Sequence, residues 1–219
     1  MRARTAVIIP AYNEQATIAE VVAAVRSSDL VDEVIVVSDG STDATSIEAQ
    51  TAGARVLALP KKGGKAEAML HGVAHTDAEV ILFTDADLHG LTADHVERLL
   101  LPVLSGSRAM NVGLRDRGPI ISPLMRYLPL IGGERAMRRQ VIEGIPAEFM
   151  QGFMVEMALN YYCKTRKLPY GTVFLPKLGI RTKVAKVGWK RALGQYVRMS
   201  GQVVQAALAV RIASLFKRF

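Results

Sequence analysis

Residues 79–87 read EVILFTDAD, an apolar stretch that ends in two carboxylates separated by an alanine. A short apolar run bounded by polar residues is typical of a strand that is buried on both faces of a parallel sheet. Ligands bind to such sheets beyond the carboxyl ends of the strands, and Asp85 and Asp87 fall at this position. Carboxylate oxygens suit Mg²⁺ and Mn²⁺. The stretch therefore predicts a core strand that leads into two carboxylates able to meet a divalent cation; for the tripeptide taken alone, a solvated loop is the alternative.

The same alternation extends to both sides of this stretch. Strands are predicted over 5–10, 32–38 and 55–59, and helices over 14–26, 43–52, 64–74 and 92–104. Strands that alternate with helices predict a doubly wound α/β fold with a mainly parallel sheet, covered by helices on both faces. The polar stretches 10–14, 38–43 and 85–87 each follow a strand. We therefore expect them to meet at one edge of the sheet.

The second half of the chain has a less regular pattern. Glycines and prolines interrupt residues 105–133, which are predicted to form irregular loops on the acceptor side. Residues 189–219 carry apolar side chains at helical spacing and predict a long amphipathic helix. With 219 residues, half of them hydrophobic, the chain is expected to form one domain over 1–219, with 1–104 and 105–219 as its two functional halves.

The net charge of +8 is unevenly distributed. Residues 1–110 contain 9 Lys and Arg against 15 Asp and Glu, whereas residues 111–219 contain 19 against 5. No acidic residue follows Glu156. Such a basic half predicts an anionic partner: a diphosphate, a phosphorylated acceptor or an anionic membrane face; a solvated basic surface is the alternative. No nucleic-acid-binding module is recognised, so a nucleic-acid partner is not expected.

The remaining composition bears on the cellular compartment. Cys163 is the only cysteine, which excludes an intrachain disulfide and favours a reducing compartment. The chain starts without an apolar leader and has no uninterrupted apolar run long enough to span a membrane. The protein is therefore expected to be cytoplasmic, with peripheral contact at the inner membrane face left open. The oligomeric state, a homodimer included, is also left open.

Four motifs occur in order in the first half: PAYNE at 10–14, SDGSTD at 38–43, KGGKA at 62–66 and DAD at 85–87. Together they resemble the family-two glycosyltransferases. The resemblance implies a GT-A fold, a nucleotide diphosphate sugar as donor, linked to UDP or GDP, and Mg²⁺ or Mn²⁺ as cofactor. It also implies a role for each matching residue: nucleoside contacts for Pro10, Ala11, Glu14 and Asp39, nucleotide contacts for Lys65, Asp85 and Ala86, and the metal for Asp87.

Structural roles are alternatives for two of these residues. Glu14 could be an acid in the first turn of its helix, where the helix dipole favours negative charge. Asp39 and Gly40 could form a tight turn.

Motifs of the second half resemble the glucosyl-3-phosphoglycerate synthases, a retaining GT-A group. They are PLIGGE at 129–134, GFMVE at 152–156 and LGIR at 178–181. The resemblance places Gly133, Glu134 and Glu156 by the donor sugar and acceptor, so Glu134 and Glu156 join Asp87 as catalytic candidates. Arg181 and Lys183 are candidates for an anionic acceptor. That group carries a histidine metal ligand where this chain has Thr182-Lys183, so the metal geometry, the acceptor and the stereochemistry of transfer stay open.

Three functional hypotheses follow. The first is a metal-dependent transferase that moves a hexose, glucose in the first instance, to a small anionic acceptor. The second is a transferase at the membrane surface with a polyprenyl phosphate or another lipid as acceptor, which the basic amphipathic segment 189–219 would suit. The third is a binding protein that keeps the fold and the nucleotide site without turnover.

Overall fold

The computed structural model describes residues 2–115, 132–146, 149–150 and 154–180. The strands within these ranges are β1 (Thr5–Ala11), β2 (Glu33–Asp39), β3 (Arg55–Leu59), β4 (Val80–Phe83), β5 (Leu88–His89), β6 (Met110–Arg115), β7 (Arg135–Arg138), β8 (Tyr170–Leu175) and β9 (Gly179–Ile180). The helices are α1 (Ile18–Arg26), α2 (Thr45–Thr51), α3 (Lys65–Ala74), α4 (Ala93–Leu104), α5 (Arg139–Glu143) and α6 (Met154–Thr165). The predicted segment 189–219 lies outside the described residues.

Seven strands form one sheet in the order β3-β2-β1-β4-β7-β6-β8. The pairs β1–β2, β1–β4, β2–β3 and β6–β8 are parallel, and β7 is antiparallel to both of its neighbours. A separate pair of short strands, β5 and β9, joins the loop after Asp87 to the segment after β8. The predicted mainly parallel α/β sheet is confirmed.

Two apolar clusters cover the two faces of the sheet. Ile8 packs on one face with side chains of α3, α5 and α6, whereas Val7 and Ile9 pack on the other face with α1, α2 and α4. This alternation follows from the strand, in which successive side chains point to opposite faces. No helix among the described residues is long and apolar enough to cross a membrane.

Two sequence predictions need correction. Residues 105–133 were expected to be irregular throughout, but Met110–Arg115 form β6 inside the main sheet. The helix expected from Glu14 begins instead at Ile18. Asn13 has a φ of 55°, and the Glu14 N–H donates to Thr45 Oγ1, so neither residue starts the helix. These corrections matter for the site, because Arg115 and Asn13 both contribute to it.

Candidate functional site

A cleft of about 330 Å³ opens at the carboxyl ends of β1, β2 and β4. It is lined by Pro10, Ala11, Tyr12, Glu14, Asp39, Lys62, Gly64, Lys65, Asp85, Ala86 and Asp87. All residues predicted from the first-half motifs to contact nucleotide or metal are therefore brought together. The fold does this because β1, β2 and β4 are parallel neighbours, so that the loops that follow them lie at one edge.

Hydrogen bonds between the first two loops fix the wall of this cleft. The Asn13 backbone N–H donates to Ser41 Oγ at 3.2 Å, and Asn13 Oδ1 accepts from the Thr42 N–H at 2.9 Å. The Glu14 N–H donates to Thr45 Oγ1 at 2.8 Å. Because each segment satisfies polar groups of the other, the loops after β1 and β2 are held together.

Asp39 anchors a third loop. Its carboxylate accepts from the backbone N–H groups of Gly63 at 2.6 Å and Gly64 at 2.9 Å, and the residue is only 4% exposed. Gly40 lets the two loops approach, since a Cβ on Gly40 would lie 2.6 Å from the backbone nitrogen of Lys62. Asp39 therefore sets the position of the residues that lead into α3, Lys65 included.

At the mouth of the cleft, a lysine lies over an aromatic ring. Lys62 Nζ is 3.6 Å from the centroid of the Tyr12 ring, within the range of a cation–π interaction. Tyr12 is 38% exposed, so a flat apolar surface and a positive charge face solvent together.

An ion-pair network forms the inner end of the cleft. Lys65 Nζ lies 2.7 Å from Asp85 Oδ1, and Arg115 Nη2 lies 2.5 Å from Asp85 Oδ2. Arg115 also binds both carboxylate oxygens of Glu134, at 2.8 and 2.5 Å. Burial opposes ionisation of Asp85, but the adjacent cations outweigh it and lower the pKa of Asp85 to about 2. Asp85 is consequently an anion with both oxygens engaged.

Glu134 is the innermost member of this network. It is fully buried, and burial raises the pKa of Glu134 against the opposing effect of the Arg115 guanidinium. Since Arg115 contacts both of its oxygens, the carboxylate holds Arg115 in place.

Gly133 explains why the loop before β7 can lie so close to Asp85. A Cβ on Gly133 would come within 2.4 Å of Asp85 Oδ2 and 2.7 Å of Oδ1. Only a glycine leaves room for the carboxylate at this approach. Gly133, predicted as a substrate-binding residue, thus touches the predicted nucleotide residue Asp85.

Glu156, in the first turn of α6, also approaches Lys65. Its Oε1 lies 3.9 Å from Lys65 Nζ, and its side chain is 14% exposed. The backbone of Glu156 is held by Arg135, a buried residue of β7 whose Nη1 donates to the Glu156 carbonyl at 3.3 Å. Lys65 therefore lies between the carboxylates of Asp85 and Glu156.

Not every predicted residue can be placed. Arg181 and Lys183 lie outside the described residues. Conversely, the contacts of Arg115, Tyr12, Lys62 and Arg135 were not foreseen from the sequence. For Arg115 the sequence did contain a signal, because apolar residues alternate at 110, 112 and 114, as in a strand. The glycines and prolines around this segment concealed the pattern.

The described residues can be tested against the expected metal by their donor atoms. They contain no group of three Asp, Glu, His or Cys side chains arranged to hold an ion. Mg²⁺ commonly takes one or two protein carboxylates and completes its coordination with substrate phosphates and water. Both oxygens of Asp85 are already bound by cations. The donor set therefore fits a metal site in which Asp87 is the protein ligand and a substrate diphosphate supplies further oxygens.

The loops after β1 and β2 and the carboxylate pair after β4 meet at one edge of a mainly parallel sheet, the arrangement of a GT-A fold. The family model described as glycosyl transferase family 2 matches residues 6–159, and the chain belongs to this family. The predictions of a GT-A fold and of a glycosyltransferase are confirmed.

The chain is similar over most of its length to glucosyl-3-phosphoglycerate synthases. It is 30% identical over 238 residues to that of Mycolicibacterium smegmatis, covering 93% of this chain and 76% of the relative. It is 31% identical over 187 residues to that of Mycobacterium tuberculosis, covering 80% of this chain but only 57% of the relative.

A solved structure of the Mycobacterium tuberculosis enzyme contains Mn²⁺, UDP-glucose and phosphoglyceric acid. It aligns with a TM-score of 0.77 at 31% identity, covering 95% of this chain and 79% of that one. Another structure of the same enzyme contains Mg²⁺ and UDP. The resemblance noted in the second-half motifs is confirmed, and so is the association of this group with Mn²⁺ or Mg²⁺.

Proposed function

We propose that this chain transfers glucose from UDP-glucose to a small anionic acceptor of the phosphoglycerate type, with Mg²⁺ or Mn²⁺ as cofactor. The observation that carries the proposal is the cleft in which the loops after β1 and β2, Lys65 and the pair Asp85 and Asp87 meet. The similarity to glucosyl-3-phosphoglycerate synthases, which extends over 93% of the chain, supports the choice of substrates.

The donor half of the site is built from the first-half residues. Pro10, Ala11, Glu14 and Asp39 take the nucleoside end, and Lys65 with Asp85 and Ala86 takes the diphosphate end. Asp87 holds the metal. When bound, the metal neutralises negative charge on the departing diphosphate, which lowers the barrier to breaking the bond at the anomeric carbon.

The residues around Lys65 fix the charges at the diphosphate end of the cleft before the donor binds. Asp85 and Glu156 draw the Lys65 ammonium towards the inner end of the cleft, and Arg115 prevents Asp85 from turning away. Charges that are fixed before the substrate binds need no rearrangement during the reaction. We assign Glu134 to holding Arg115, because its carboxylate is buried and fully engaged.

Glu156 is the carboxylate assigned to the acceptor. In the transfer, the acceptor hydroxyl forms a bond to the anomeric carbon, the bond to the diphosphate breaks, and the hydroxyl proton leaves. A carboxylate near the attacking oxygen can orient that hydroxyl or receive its proton. Arg181 and Lys183 remain the residues we propose for the negative charge of the acceptor, with 1–219 acting as one domain.

An assay with defined acceptors tests the proposal. Release of UDP from UDP-glucose with Mn²⁺ is measured with 3-phosphoglycerate, with glycerol 3-phosphate, and with vesicles that contain a polyprenyl phosphate. We expect turnover with 3-phosphoglycerate and its loss in Asp87→Ala. As a matched control, Asp94→Ala removes an exposed acid from the first turn of α4, where it pairs with Arg98, and should catalyse as the unmodified chain does.

Other outcomes would select the competing hypotheses. Turnover with the vesicles alone would replace the small acceptor by a lipid phosphate and would support a peripheral location at the membrane. Donor binding without turnover on any acceptor would support a nucleotide-sugar-binding protein. Sedimentation of the same sample would determine whether the protein is a homodimer.

A further inference from the structure

Arg135 is a charged side chain in the middle of the fold. It lies at the start of β7, is 1% exposed, and is the largest fully buried side chain of the described residues. A guanidinium in this position has lost its water, which is strongly unfavourable unless every donor finds a partner. Its partners therefore show what the charge is used for.

Two of the segments that Arg135 contacts lie at the site, and its Nη1 also lies 3.9 Å from Met110 Sδ on β6. On one side, Nε donates to the backbone carbonyl of Gly132 at 2.8 Å. On the other side, Nη1 donates to the carbonyl of Glu156 at 3.3 Å and to Asn160 Oδ1 at 3.0 Å, which are one turn apart on α6. The guanidinium thus joins the Gly132-Gly133 loop to the first turns of α6.

Both segments reach the ion-pair network around Lys65 and Asp85. Gly133, next to Gly132, lies against the Asp85 carboxylate, and α6 carries Glu156. Lys65 reaches both acids, at 2.7 Å and 3.9 Å. The separation of these two carboxylates therefore depends on how the loop and the helix are held together, and Arg135 is a direct connection between them.

Stability alone is a weak reason for such a residue. A buried charge can often be replaced by an apolar side chain of similar size with little loss of stability. A planar guanidinium offers something else, because its donors diverge at fixed angles and hold several acceptors in one geometry.

We propose that Arg135 is a positioning residue that fixes Glu156 relative to Asp85 by tying α6 to the Gly132-Gly133 loop. The inference rests on the proposed function, in which Glu156 serves the acceptor and Asp85 the donor.

The test compares two arginines at opposite ends of the same strand. Arg139 follows β7 and also donates to backbone carbonyls, those of Ala78, Val73 and Thr76, but on the side away from the cleft. Arg135→Lys keeps the positive charge but removes the planar guanidinium with its diverging donors. We expect kcat to fall roughly ten- to hundredfold, the loss typical of a small misplacement of reacting groups. Arg139→Lys, the matched control, should leave kcat unchanged.

A double-mutant cycle separates positioning from a general structural effect. If Arg135 acts through Glu156, adding Arg135→Lys to Glu156→Gln should cost no further kcat, because the group being positioned has already been removed. Full additivity of the two losses in kcat would overturn the proposal.

A readout that needs no turnover keeps the proposal separate from the proposed function. Amide hydrogen exchange over 154–160 should accelerate in Arg135→Lys and not in Arg139→Lys, because the tether of α6 is loosened. Should Arg135→Lys fail to fold, Asn160→Ala removes one hydrogen-bond acceptor of the Arg135 guanidinium. This variant should show the same pattern of exchange with a smaller acceleration. Unchanged exchange in the variant that folds overturns the tether, whereas accelerated exchange in a chain without glucosyl transfer would contradict only the proposed function.

Discussion

The Arg115 guanidinium at the end of β6 holds the Asp85 carboxylate at the end of β4, with Nη2 and Oδ2 2.5 Å apart. The two residues are thirty positions apart in the chain, and β7 lies between β4, which Asp85 follows, and β6, which Arg115 ends. Asp85 is therefore oriented by the second half of the chain, and its charge state can be tested through that contact.

Asp85→Asn should destabilise the fold in a pH-dependent way. The pKa of Asp85 is lowered from 3.8 to about 2, so its ionisation stabilises the fold above about pH 4, and this stabilisation is lost as the pH falls towards 2. A shift of this size corresponds to roughly 2 kcal/mol at neutral pH. Urea unfolding at pH 7 and at pH 3 measures the difference between the variant and the unmodified chain, which should be smaller at pH 3. If the two proteins differ equally in the free energy of unfolding at pH 7 and at pH 3, the charge of Asp85 does not contribute to stability.

Gly133→Ala should weaken donor binding by at least about tenfold, because the added methyl group must displace either the Asp85 carboxylate or the loop. Calorimetric titration with UDP-glucose and Mn²⁺ gives the dissociation constant. Gly179→Ala is the matched control, since a Cβ at Gly179 has no neighbour within 4 Å. Equal affinities in the two variants would show that the close approach to Asp85 has no role in donor binding.

Asp39→Ala should weaken UDP and UDP-glucose by the same factor. The substitution leaves the amides of Gly63 and Gly64 without their acceptor and releases the loop that leads to Lys65. We expect both affinities to fall by about tenfold, because ligand binding must then order a loop that these hydrogen bonds hold in the unmodified chain. Both ligands are titrated against this variant and against Asp94→Ala. A loss confined to UDP-glucose would place the effect at the sugar and not at the nucleoside end.

Glu156→Gln should lower kcat by roughly a hundredfold while leaving the dissociation constant of UDP-glucose unchanged, because the shape of the side chain is kept and its charge removed. Glu134→Gln should behave differently. It disturbs a buried bidentate pair, so its main effect should be a lower melting temperature. Single-turnover rates and thermal melts of both variants make the comparison. A normal kcat in Glu156→Gln would leave Glu156 with a structural role only.

The sequence was sufficient for the elements that depend on local pattern. Four parallel strands, their helices and the loops after β1, β2 and β4 follow from apolar periodicity and from turn residues such as Gly40. The positive φ of Asn13 was not predictable in this way, because it depends on hydrogen bonds to Ser41 and Thr42.

The contacts between the two halves of the chain could not be predicted from pattern at all. Arg115 meets Asp85 and Glu134 because an antiparallel strand enters a parallel sheet, and no spacing in the sequence encodes that pairing. Arg135 is buried, although arginine side chains are mostly exposed in folded proteins. Long-range pairings of this kind depend on the packing of the whole domain.

The insertion of β7 between β4 and β6 also has a consequence for folding during synthesis. The segment β1–β4 leaves the ribosome first, and its parallel pairings can form without the rest of the chain. Asp85 is then present without Arg115 and Glu134, and β4 has an open edge until β7 arrives. Closing that edge with β7 also brings in Glu134 and, through β6, Arg115, so the ion-pair network around Asp85 can be completed only when the main sheet is complete.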